Sequence, residues 1–86
     1  MKNLCTALIN AARFLELSSG NVVDPDAAVA AMEDMSAALQ SATLPERVAF
    51  IASCEAETVR LRLAGELESS RFVAELPAAL GLSVEA

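Results

Sequence analysis

The chain has 86 residues, room for one domain spanning 1–86 with a core of modest size. Fifty-five per cent of it is apolar, mostly Ala and Leu, with only Phe14, Phe50 and Phe72 as aromatics, so close-packed helices with small side chains are expected. Twelve acids face six bases and no His, for a net charge of −6; this argues against binding a nucleic-acid backbone or an anionic membrane, and makes a neutral or basic protein the expected partner.

The first predicted helix covers about 3–17. At 3.6 residues per turn, Leu4, Leu8, Ala11 and Leu15 fall on one line, flanked by Cys5, Ala7, Ala12 and Phe14. Thr6, Asn10, Arg13 and Glu16 occupy the opposite side. Ser18-Ser19-Gly20-Asn21 ends it, with Gly20 or Asn21 expected in a left-handed conformation.

The second helix, about 25–41, has the clearest start. Asp24 can cap free amides, Pro25 suits the first helical position, and Asp26 puts negative charge at the positive end of the dipole. Ala28, Met32, Met35 and Leu39 form its apolar line, and Glu33, Asp34 and Gln40 face away. The two methionines read as core filler.

The third helix, about 44–64, opens with a capping box, Thr43 and Glu46. It carries two apolar lines. Val48, Ala52, Val59 and Leu63, joined by Ala56 and Ile51, make one; Phe50, Cys54 and Leu61 make a second about half a turn away. A surface helix needs only one such stripe. Either this helix is central and covered on both sides, or Phe50, Cys54 and Leu61 seed an interface with another molecule.

Gly65 marks a kink or an end. A fourth helix is expected over about 66–76, with Phe72, Val73 and Leu76 inward. Pro77 should break or restart it, and Gly81 should end a short C-terminal turn carrying Leu80. Val84, Glu85 and Ala86 read as a frayed tail. The sum is an all-α, compact bundle of about four helices.

Chemistry is hard to place on this chain. Without His there is no Ser–His or Cys–His arrangement, and no Gly-rich phosphate loop is present. No enzyme activity, cofactor or metal is expected. Were a ligand or metal bound, Asp34, Glu55 and Glu57 would have to carry it, though neighbouring carboxylates diverge on a helix. Cys5 and Cys54 have no CxxC spacing and read as buried, reduced thiols, which with the lack of a ~20-residue apolar span suggests a cytoplasmic protein. Glu57 with Arg60, Glu68 with Arg71, and Arg71 with Glu75 have helical ion-pair spacing and read as surface support.

One asymmetry stands out. No base lies between Arg13 and Arg47, whereas Glu16, Asp24, Asp26, Glu33 and Asp34 do, so the end of the first helix and the second helix form an acidic flank. The expected role is therefore non-enzymatic: an acidic helical surface binding a protein partner, or the chain binding itself as a homodimer. A purely structural, self-associating domain is the alternative. The Asp24-Pro25-Asp26 start, the acid-rich second helix and the Leu76–Leu82 ending resemble bacterial sequences. In size and charge alone the chain is similar to toxin-neutralising immunity proteins, which makes an inhibitor role one version of the interaction reading.

Overall fold

The structure is a computed structural model and describes residues 1–82; the Val84–Ala86 tail lies outside the described residues. Four helices share one core: α1 (Lys2–Leu17), α2 (Pro25–Gln40), α3 (Leu44–Leu63) and α4 (Leu67–Ala79). The all-α four-helix expectation is met, with bounds within a few residues.

Local chemistry explains the helix ends. The Asp24 carboxylate accepts from the Ala27 amide at 2.9 Å, and Pro25 follows at the first position. Both halves of the Thr43–Glu46 box form: the Thr43 amide donates to Glu46 Oε1 at 2.8 Å, and the Glu46 amide donates to Thr43 Oγ1 at 3.3 Å. Gly65 ends α3 at φ +80. The Gly65 and Glu66 amides donate back to the Arg62 and Leu61 carbonyls, the paired bonds of a Schellman closure. Gly81, at φ +71, closes α4 in the same way through the Ala78 and Pro77 carbonyls.

Two expectations about helix ends are corrected. Neither Gly20 nor Asn21 is left-handed; α1 ends on extended Ser18, and the Val22 and Val23 amides turn back to the Ser19 carbonyl. Pro77 does not break α4, which runs on to Ala79. It sits in the last turn, where its missing amide removes a single helical bond and the closure at Gly81 follows at once.

The core is Cys5, Ile9 and Ala12 of α1, Phe50, Cys54 and Leu61 of α3, Val73 and Leu76 of α4, and Leu80 and Leu82 just beyond. Leu8, Met32, Met35, Leu39, Ala49 and Phe72 pack partly buried against it. The apolar line expected on α2 does face inward, though only Ala28 is fully buried.

The α1 face is turned by about 90° from the expected one. Leu4 and Ala11 are exposed, and Cys5, Ile9 and Ala12 are inside. α1 touches all three other helices; Leu8 shares a groove with α2 residues, Lys2 and Thr6 share one with α3, and Arg13 reaches α4. Small side chains at Cys5 and Ala12 let it come close to the α3–α4 pair. The turn also brings the Arg13 guanidinium to α4, where it donates to Ser69 Oγ at 3.3 Å and pairs with Glu66 at 3.6 Å.

The buried hydroxyls of Thr58 and Ser70 are both bonded. The Thr58 hydroxyl donates to the Cys54 carbonyl at 2.7 Å, and the Ser70 hydroxyl donates across to the Thr58 carbonyl at 3.0 Å, tying α4 to α3.

Candidate functional site

The question left by α3, which of its two apolar lines faces out, has a definite answer. Phe50, Cys54 and Leu61 are 1%, 2% and 0% exposed. They are core, so the reading of them as an interface seed is corrected. The other line is outside: Val48 is 47% exposed, Val59 50% and Leu63 84%, and Ala52 and Ala56 between them are also exposed. The reason is the thickness of the molecule. It measures 20 Å in its thinnest direction, about two helix diameters, and a helix in so thin a slab keeps one side in solvent. Phe50 and Leu61 fill the interior, and Val48 and Val59 are left half exposed on the outer side.

Beside this face a shallow groove of about 500 Å³ runs between α3 and α4. Ile51, Val59, Ala74, Pro77, Ala78 and Leu82 supply apolar lining, with Glu55 and Arg62 at its edge.

The acidic flank is solvent-facing throughout: Glu16, Asp24, Asp26, Glu33 and Asp34 are all exposed. The five do not form one cluster. Asp24 is engaged as the α2 cap and Asp26 sits in the first turn of α2. Glu16 and Glu33 are brought to one groove of about 430 Å³, whose lining is otherwise Val29, Met32, Ser36, Ala37, Ala79 and Leu80. On the other side of α2, Asp34 and Glu46 share a second apolar groove with Leu8, Met35, Ala38 and Leu39. α2 thus stands between two greasy troughs, each edged by a carboxylate from α2 and one from a neighbouring helix.

α2 is held there by contacts the sequence pattern did not suggest. Gln40, expected to face away, donates through Nε2 to the Leu80 carbonyl at 2.8 Å and to the Gly81 carbonyl at 3.2 Å, and the Ser36 hydroxyl donates to the Leu80 carbonyl at 3.0 Å. The two side chains are four residues apart on one face of α2, and that spacing was the available signal. They clasp the carbonyls at the end of α4, which no longer have helical partners.

The carboxylates singled out for ligand chemistry are dispersed. Glu55 lines the α3–α4 groove, Asp34 the trough it shares with Glu46, and Glu57 a separate depression with Lys2 and Thr6. Glu57 is bound to the Arg60 guanidinium, whose hydrogen bond holds its carboxyl below the usual range. The Arg71 pairs with Glu68 and Glu75 do not form among the described residues. Among those residues there is also no group of three metal-ligating side chains and no helix long and apolar enough to cross a membrane.

Cys5 and Cys54 are unbridged and share the core. Burial first, then the nearby Cys5 and Glu55, pushes the Cys54 thiol up to about 12. A thiol so protonated is a poor nucleophile.

No family model, curated protein or solved structure matches the chain.

Proposed function

We propose that this chain is a non-catalytic interaction module whose acidic helical surface binds a neutral or basic protein partner. The observation that carries this reading is the trough beside α2, where Glu16 and Glu33 stand over an apolar lining that includes the half-exposed Val29. An amphipathic helix fits such a trough with its apolar face down and its basic flank against the carboxylates. The net charge of −6 draws a basic partner in and disfavours an acidic one. An inhibitor of the immunity kind is one form this role can take. The absence of His from the sequence fits a role without acid–base chemistry, and two unbridged thiols fit the reducing cytoplasm.

A synthetic amphipathic Leu/Lys peptide is a suitable probe, read by methyl NMR of the full chain. Shifts at Val29, Met32 and Leu80 are expected, reduced by added salt and by Glu16→Gln with Glu33→Gln. Both residues are exposed, so the double variant should keep the wild-type circular dichroism. Shifts scattered over the whole surface, or indifferent to loss of both carboxylates, would refute the reading.

The outer face of α3 favours a second reading, self-association, and it does so independently of the α2 trough.

A further inference from the structure

We infer that the exposed face of α3 is a self-association site, occupied by the α3 of a second copy running antiparallel. Val48, Ala52, Val59 and Leu63 fall within an arc of about 60°, and no charged residue interrupts it. Their spacing is symmetric about the midpoint between Glu55 and Ala56: four residues, then seven, then four. A twofold axis at that midpoint, perpendicular to the helix and lying in the contact plane, sets Val48 beside the partner copy's Leu63. It also sets Ala52 beside the partner copy's Val59, large against small, twice over. This is the self-complementarity that an isologous interface requires. A parallel pairing of the same face would instead set Leu63 against Leu63 and Ala52 against Ala52, leaving the small positions as gaps.

The same axis fixes what flanks the contact. Ala56 meets its own copy on one side, close enough for the helices to approach. On the other side Glu55 meets its own copy, a like-charge pair that weakens the dimer. The size of the face sets the strength. The strip from Val48 to Leu63 is roughly 24 Å by 12 Å, about 300 Å² per chain, well under half the ~800 Å² each partner contributes to a stable complex. The dimer is therefore weak and concentration-dependent, a reversible pairing rather than a permanent one.

The test is sedimentation equilibrium of the full chain from about 10 μM to about 1 mM, the range in which weak complexes dissociate. The mass should rise from 9.0 kDa toward twice that value. Val59→Gln with Leu63→Gln should weaken dimerisation tenfold or more with unchanged circular dichroism, since both side chains are outside the core. Glu55→Gln should tighten it severalfold. Orientation is read by oxidation: Ala56→Cys should form a disulfide-linked dimer, and Leu63→Cys alone should not, because its own copy lies about 22 Å away along the axis. Mixed Val48→Cys and Leu63→Cys chains should cross-link to each other. A mass fixed at 9.0 kDa, a dimer indifferent to the Val59 and Leu63 changes, or self-linking of Leu63→Cys as fast as Ala56→Cys would each overturn the proposal. The peptide titration of the α2 trough is unaffected by any of these outcomes, so the two readings fail separately.

Discussion

Leu61 and Leu63 lie two residues apart on α3, yet one is fully buried and the other is 84% exposed. Truncating each to Ala separates inside from outside with the same chemical change. Leu61→Ala removes a side chain fully enclosed in the core and leaves a cavity, a loss of about 3 kcal/mol within the usual range for a core leucine. For Leu63 about a sixth of the side chain is covered, and burying a whole leucine is worth about 1.5–3 kcal/mol, so its removal costs under about 0.5 kcal/mol. The better helix propensity of Ala partly offsets even that. In a domain of this size the Leu61 change lowers the melting temperature by about 12–24 °C and the Leu63 change by no more than about 4 °C. The chain lacks Trp and Tyr, so the assay is urea or thermal unfolding followed by far-ultraviolet circular dichroism. It is run dilute, so that pairing between copies does not contribute. Leu61→Val provides a milder step should Leu61→Ala fail to fold. If Leu63→Ala destabilises as much as Leu61→Ala, the assignment of the inner and outer faces of α3 is wrong.

Further outcomes follow from the ends and the interior. Gly81→Ala should destabilise more than Gly65→Ala: both sit at positive φ, costing about 1–2 kcal/mol with a Cβ, but only at Gly81 does the new Cβ come within 2.9 Å of a side-chain atom, the Gln40 amide. In a Gln40→Ala background the two glycine changes should converge, which a double-mutant cycle measures. Cys54 is raised on folding, so its contribution is complete below the ordinary thiol range near 9 and lost as pH climbs toward about 12; alkaline unfolding should begin near pH 9 and be shifted upward by Cys54→Ala. Glu46 is lowered by its bonds with Thr43, so its contribution holds above 4.5 and fades as pH falls through the lowered value; Thr43→Ala should flatten that part of the acid titration of stability, read by denaturant midpoints from pH 6 down.

The helix ends were legible because their chemistry is local. Asp24 with Pro25, and Thr43 with Glu46, act over three residues, and nothing distant can change which amides are free there. Pro77 misled because its effect depends on how much helix follows it. The faces of α1 and α3 were not legible for a different reason. Ala, Val and Leu on nearly every side leave the periodicity with more than one solution, and burial is settled by where the neighbouring helices lie. Ile9, at the centre of the buried face of α1, stood outside the expected line altogether. The exposure of Glu16, Asp24, Asp26, Glu33 and Asp34 could be read from charge. That Glu16 and Glu33 share a trough could not, because it depends on the packing of α1 against α2 and the end of α4.

A thin slab of small side chains has an energetic consequence. Alanine buries little area, so an Ala-rich two-layer bundle gains less from its core than a chain with larger side chains, while Val48 and Val59 are only about half covered and Leu63 hardly at all in the single chain. Covering their face then adds stability by mass action, since only the folded helix presents it. At a total concentration ten times the dissociation constant, free monomer is about a fifth of the chain, so linkage of this kind is worth about 1 kcal/mol, or a rise of about 4–8 °C in melting temperature. The melting temperature of the wild-type chain should therefore climb with its own concentration. That of Leu63→Gln should stay level, starting from nearly the same dilute value because the residue adds little to the monomer. Scanning calorimetry at graded concentrations measures both. A wild-type melting temperature that stays flat up to about 1 mM would mean that the bare face of α3 is simply hydrated, and the thinness of the fold would then have no bearing on what it binds.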